Sequence, residues 1–229
     1  GKGALTRPET GLIWSGFRPS DDRCFYNYLV PSNMFAAVEL LHLAEIFEKT
    51  AKDGQSAQRC RTLSAEIRQG IKNFGCVVHE KQGKMYAYET DGLGNYILSD
   101  DANVPSLLSA PYLGFCGKND PVYEATRAFV LSKDNPFYFE GKCAKGVGSP
   151  HTPKGYVWHI ALSMQGLTAK DKEEKLSLLK MLVSTTDGTN LMHEGFDVDD
   201  PSKYTRPWFA WSCSLFCEFV MHCLDEGII

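Results

Sequence analysis

The chain has no cysteine pair at CxxC spacing, no apolar run long enough to cross a bilayer and no excess of basic charge, and each absence excludes a class of function. Eight cysteines are present, but without CxxC spacing neither a zinc ribbon nor a thioredoxin-like redox site has support. Their even number leaves disulfides open. Cys213 and Cys217 lie one helical turn apart and read equally well as small core residues. The most apolar segment, FAWSCSLFCEFVMHCL, contains Glu218 and His222 and is too short to span; it reads as a buried helix. With 24 Lys+Arg against 28 Asp+Glu, the net charge of −4 opposes a nucleic-acid surface, which needs a basic patch. The opening residues, GKGALTRPET, lack the form of a signal peptide. No compartment is assigned, and the secretory pathway and the outside of the cell are left open.

What is present is enough apolar residue, 43% of 229, for a substantial core. The clearest periodicity is helical. After Pro31-Ser32-Asn33, the segment NMFAAVELLHLAEIFEKT places Met34, Val38 and Leu41 beside Leu40, Ala44 and Phe47, one wide apolar face that Ser32 or Asn33 can cap. Lys52-Asp53-Gly54 ends it, and 56–74 carries a second such face through Cys60, Leu63, Ile67, Ile71 and Phe74. CVVHEKQGKMYAYE reads as a short β-hairpin. Further helices are expected near 105–112, 120–131, 158–167, 171–186 and 208–224, with a long connection over 132–157. Helical hairpins separated by long Asp-, Gly- and Pro-rich loops suggest an all-α fold, part of an α/α toroid. With no flexible linker in sight, residues 1–229 read as one domain.

The charged residues that stand out lie in those loops. They form three clusters: Arg18, Asp21 and Asp22; Glu89, Asp91, Asp100 and Asp101; and His193, Glu194, Asp197, Asp199 and Asp200. Each lies among aromatics and upstream of an apolar helix. Helix capping is one reading, since Asp accepts amide hydrogen bonds at a helix start. Calcium ligation by DVDD is another, but the ligand spacing of an EF-hand is absent. The third is carbohydrate hydrolysis, which needs one carboxylic acid, a second carboxylate and aromatic faces for a sugar ring. Trp14, Phe17, Tyr88, Tyr96, Trp158, Tyr204, Trp208 and Trp211 supply such faces in or beside the same loops.

Four segments carry a resemblance: SGFRPSDDRCFYNYLVPSNMFA, YETDGLGNYILSDDANVPSLLSAPYLG, GVGSPHT followed by WHIALSMQGLT, and HEGFDVDDPSKYTRPWFAWSCSLFCEF. In this order they resemble glycoside hydrolase family 125, a family of exo-acting α-1,6-mannosidases with fungal members. The resemblance implies an (α/α)6 barrel and an inverting mechanism that releases terminal mannose. Members are longer, with a helical half preceding the SGFRPSDD motif, so this chain resembles the C-terminal half of the barrel. The expected partners are an α-mannoside oligosaccharide and either a separate N-terminal half or a second copy, because a half barrel would bare the inner face of its helices.

By motif, the resemblance implies Asp21 as catalytic acid, with Asp22 the alternative, and Glu194 as catalytic base. The motif around Glu194 reads HEGF where the family more often has HESF, so Gly195 replaces a small hydroxyl residue. Arg18, Asp91, Asn103, His151, Gln165, Arg206 and Trp208 are the implied sugar-binding residues, with Asn103 and Gln165 equally readable as capping or core amides. The scheme needs no metal or other cofactor. Inversion places the two carboxyl groups about 6.5–9.5 Å apart. A noncatalytic mannoside-binding or structural relic is the alternative from another class, and an unrelated lyase or terpenoid-type enzyme on the same toroid is a third.

Overall fold

The computed structural model of the protein describes residues 5–229. They fall into two compact units. One runs to Leu98 and includes Leu113–Thr126; the other comprises Ser99–Tyr112 and Arg127–Ile229.

In the first unit β1 (Tyr28–Leu29) runs into α1 (Val30–Ile46), which closes in a π-helical turn, Phe47–Ala51. Asp53 then caps α2 (Gly54–Phe74), its carboxylate accepting the Ser56 N–H at 3.0 Å. The expected cap of α1 is not formed. The helix starts at Val30 with Leu29 in the cap position and no side-chain cap, because Pro31 in the first turn has no N–H to satisfy. Asn33 is instead bonded to the N-terminal segment. Its amide donates to the carbonyls of Leu29 (2.9 Å) and Ile13 (3.1 Å), and its oxygen accepts the Ile13 N–H at 2.7 Å. Of the expected apolar face, Met34, Val38 and Ala44 are buried against α2 while Leu41 is exposed. The two helices are stitched by the buried Ser64 hydroxyl, which donates to the Ala37 carbonyl at 2.6 Å. The hairpin of β2 (Cys76–His79) and β3 (Gly83–Tyr86) forms as expected, with Cys76 opposite Tyr86. Next, β4 (Glu89–Thr90) and β5 (Tyr96–Ile97) join β1 in a three-stranded antiparallel sheet with β4 at its centre.

The helix expected near 105–112 is absent; the segment is a series of turns. Side chains have taken the backbone groups a helix would use. Asp100 accepts from Leu107 N (2.8 Å) and Leu108 N (3.0 Å), and the Ser109 hydroxyl donates to Ser106 O at 2.7 Å. Helix α3 (Pro121–Val130) follows. The long connection holds a hairpin, β6 (Tyr138–Glu140) with β7 (Lys145–Val147), and then β8 (Tyr156–Val157). Helices α4 (His159–Thr168) and α5 (Lys172–Ser184) come next, the latter capped by Asp171 accepting from Glu173 N. Strands β9 (Gly195–Asp197) and β10 (Tyr204–Thr205) pair with β8 in the order β10-β9-β8 and lead to α6 (Ala210–Asp225).

Helix α4 packs on both α5 and α6. Its approach to α6 requires glycine: a Cβ at Gly166 would sit 2.1 Å from the buried ring of Phe219. The described residues are thus predominantly helical with small β-hairpins, and the helices pack in pairs as α/α toroids do. None of their helices is long and apolar enough to cross a membrane, and all eight cysteines carry free thiols.

Candidate active site

In the first unit the segment WSGFRPSDD is a closed turn, not a helix cap, since the next helix begins only at Val30. Phe17 and Arg23 form an antiparallel bridge. Between them the Arg18 N–H donates to Asp22 O at 2.7 Å and the Asp21 N–H to Arg18 O at 3.0 Å. Asp21 lies at the tip with φ of 65°, a left-handed conformation that Asp tolerates better than most residues. It is exposed, whereas Asp22 is half-buried with its Oδ2 enclosed.

Behind the turn lies a carboxylate outside the implied set, Glu89 on β4. It is fully buried and accepts from the Arg18 Nε at 2.7 Å through one oxygen. Its other oxygen accepts the N–H groups of Phe25 (2.7 Å) and Tyr26 (3.0 Å). The Arg18 guanidinium lies 5.1 Å from the Tyr88 ring centre and 5.8 Å from that of Phe25. Cys24 is fully buried, and that burial, helped by the charge of Glu89, pushes its thiol up to about 12. Asp91 organises a different turn. It accepts from Leu93 N (2.7 Å), Asn95 N (3.0 Å) and the Asn95 amide (2.6 Å). Burial works to raise its carboxyl, but these donors outweigh it and hold the group below the usual range.

In the second unit Glu194 lies at the start of β9, and only 5% of it is exposed. Its N–H donates to Thr205 O at 3.2 Å, and Arg206 Nε lies 3.1 Å from its Oε1. Arg206 is more than half exposed, has φ of 45°, and holds its guanidinium 5.5 Å from the ring centre of Phe209. Gly195 faces the buried indole of Trp158: a Cβ there would lie 3.1 Å from the indole Cδ1 and Nε1. The same indole donates to Thr152 Oγ1 at 2.9 Å and meets the rings of His151 (6.3 Å) and Phe209 (6.1 Å) edge to face. Trp208, 66% exposed, stands two residues beyond Arg206.

Two buried histidines support this strand. The His193 N–H donates to His159 Nδ1 at 2.8 Å, so that nitrogen carries no proton, and the other ring nitrogen faces Thr185 Oγ1 at 3.0 Å. Burial, and then the neighbouring His193, pull His159 down to about 3. The His193 ring stacks on Tyr204, with centres 3.9 Å apart and planes 8° from parallel.

The remaining implied residues are placed differently. Gln165 donates to Glu174 Oε1 at 2.7 Å, an oxygen also taken by Arg127, so its amide ties α4 to α5. Asn103 is buried at 3% exposure and its N–H lies 3.4 Å from Asp101 Oδ1; its own Oδ1 has no hydrogen-bond partner among the described residues. Asp100 is fully buried, and burial raises its carboxyl to about 7 against the amide donors that favour the anion. Asp199 and Asp200 stabilise loops: Asp199 accepts from Lys142 N at 2.8 Å, and Asp200 bonds the Ser202 hydroxyl and Lys203. Among the described residues no group of three or more His, Cys, Asp and Glu is arranged to hold a metal ion.

Arg18, Asp21 and Asp22 are therefore brought together in one turn; Glu194 and Arg206 meet at one strand end, His151 packs on the Trp158 indole that Gly195 faces, and Trp208 is exposed two residues beyond Arg206. Asp91, Gln165 and Asn103 have other partners or settings. Glu89, Thr152, Trp158 and His159 are the supporting residues that motif reasoning left out of the site. All four lie within the family segments, but nothing in the motifs marks them apart from their neighbours.

Residues 1–221 match the family described as metal-independent alpha-mannosidase (GH125). Meiotically up-regulated gene 157 protein of Schizosaccharomyces pombe is 44% identical over 227 residues, which cover 99% of this chain and 44% of that protein. A Streptococcus pneumoniae structure, described as a metal-independent alpha mannosidase in a non-productive complex with α-1,6-mannobiose, is 52% identical with a TM-score of 0.92. The match covers 94% of this chain and 51% of that one. A bacterial glucoamylase complexed with acarbose is 15% identical with a TM-score of 0.71, over 87% of this chain and 34% of its own, and shows shared fold alone. The chain spans about half the length of the mannosidase structure and somewhat less of the yeast protein. On the family match over nearly its whole length, the chain belongs to the metal-independent α-mannosidase family GH125.

Proposed function

We propose that this chain carries the acid and the base of a glycoside hydrolase that releases terminal mannose from α-1,6-linked mannosides with inversion. The observation that carries the proposal is Glu194, a carboxylate 5% exposed, held on a strand end by Thr205 and Arg206, with the next residue, Gly195, facing the Trp158 indole. In this reading Asp21 gives its proton to the glycosidic oxygen as the bond to C1 breaks. Glu194 takes a proton from water, and the water oxygen attacks C1 from the opposite face. Asp21 ends ionised and Glu194 protonated, and exchange with solvent restores both. Arg18, His151, Arg206 and Trp208 are proposed to contact the sugar, Trp208 offering an exposed indole face. The family's description as metal-independent supports an acid and base scheme between side chains alone.

Asp21 is the acid in this proposal because it reaches solvent at the tip of the turn; Asp22, half enclosed, is the alternative. Proton NMR of the protein acting on α-1,6-mannobiose should show β-mannose first, the inverted anomer. D21N and E194Q should each lower kcat by about 10³-fold or more with the fold intact. If D22N is silenced and D21N is not, the acid is Asp22. Mannobiose binding with no hydrolysis by the wild-type chain would support the noncatalytic reading instead.

A further inference from the structure

We propose that Glu89 is a positioning residue for the acid: it clamps both limbs of the Asp21–Asp22 turn and neutralises Arg18, so that the guanidinium does not oppose a protonated acid beside it. The proposal rests on the reading of this turn as the acid site. Its basis is the set of donors on one carboxylate. Glu89 is fully buried on the central strand of a sheet, paired with Leu29 and Ile97, so its own position is tightly held. One oxygen takes Arg18 from the first limb, and the other takes Phe25 and Tyr26 N–H from the segment that leaves the turn. Arg18 in turn bonds both aspartates through its backbone, donating to Asp22 O and accepting from Asp21 N. Movement of Arg18 therefore moves both candidate acids.

The charge matters as much as the clamp. A buried cation lacking a counter-ion would favour an ionised aspartate, the wrong state for a general acid. The charged and titratable groups of this turn and its support are Arg18, Arg23, Glu89, the two aspartates, the neutral Cys24 thiol and the phenols of Tyr26 and Tyr88. Of these, Glu89 is the buried anion paired with Arg18. A separation on the order of 7 Å across a tight turn corresponds to a displacement of about half a pH unit in bulk water and about one and a half to two units in a surface-like dielectric.

The test is the pH profile of kcat/KM on α-1,6-mannobiose for the full chain and three variants. In E89Q the alkaline limb should move to lower pH by about half to two units, with kcat reduced about tenfold or more and KM changed less than kcat. E89D, which keeps the charge but shortens the reach, should lose kcat and leave the limb in place. R18Q/E89Q, which removes both charges, should return the limb to its wild-type position even if turnover stays low. An E89Q limb that does not move, or one that the double variant does not restore, overturns the proposal and leaves Glu89 as a structural ion pair. A second readout is independent of turnover. The amide protons of Phe25 and Tyr26 should move upfield in E89Q, and the carboxyl-carbon titrations of Asp21 and Asp22 should move to lower pH. If the wild-type chain releases no mannose, the function proposed above fails while these NMR shifts still decide the role of Glu89.

Discussion

Asp100 and His159, both buried in the second unit, should make opposite and nearly cancelling contributions to its pH stability. Asp100 has its carboxyl raised by burial from 3.8 to about 7, and His159 is lowered, by burial first and then by His193, from 6.5 to about 3. Between pH 4 and 6.5 an unfolded Asp100 has lost its proton while the folded one keeps it. This group therefore favours the folded state most at low pH and loses that contribution as pH rises toward 7. Over the same window an unfolded His159 is protonated and the folded one is neutral, so its contribution is present above 6.5 and lost as pH falls. Each group alone gives a slope of about 1.4 kcal/mol per pH unit, of opposite sign, and the pair together gives nearly none. D100N should expose the histidine: relative to wild type, stability should fall by roughly 2 kcal/mol on going from pH 6.5 to 4.5. H159Q should show the reverse tilt. Urea denaturation at half-unit pH steps, followed by tryptophan fluorescence and circular dichroism, measures both slopes. A D100N profile parallel to wild type would refute the reasoning and mean that the amide bonds from Leu107 and Leu108 keep the folded Asp100 ionised.

G166A should destabilise the second unit by about 1–3 kcal/mol although Ala is the better helix former, because the new methyl would meet the Phe219 ring; G166A/F219L should recover much of the loss in the same denaturation assay. S64A should cost about 1 kcal/mol in the first unit, the hydroxyl's bond to Ala37 O being buried, read as a lower urea midpoint at constant slope. W208A should raise KM for mannobiose about tenfold with a smaller effect on kcat, since an exposed indole face is expected to serve substrate and transition state alike.

The parts of the fold legible in the sequence are those set by local pattern. Helix α2 and helices α3 to α6 lie within two residues of their expected ends at most boundaries, because capping Asp, Pro at a first turn and helical periodicity all act within a few residues. The misses have non-local causes. A helix near 105–112 fits the apolar spacing, but Asp100 reaches forward to Leu107 and Leu108 and holds turns instead. Strands β4 and β5 are two residues long and exist because Leu29 and Ile97 flank Glu89, pairings that no short window shows. The site divides the same way. Motifs indicate the turn at Asp21 and the strand at Glu194, whereas the Arg18–Glu89 pair joins residues 71 positions apart and becomes visible only in three dimensions. At Gln165 the motif left a sugar contact and a core amide equally open, and the structure shows its amide donating to Glu174.

The buried Cys24 thiol offers a clock for the turn it supports. Only the thiolate attacks a thiol reagent, and with the group enclosed and pushed up to about 12, modification must wait for the segment to open. Cys143 and Cys217 are exposed and react first, and peptide mapping by mass spectrometry separates Cys24 from the half-buried Cys60, Cys76, Cys116 and Cys213 and from the buried Cys223. The rate at Cys24 then measures how often the acid-bearing segment leaves its seat, a quantity that sugar binding should slow and that loss of Glu89 should speed.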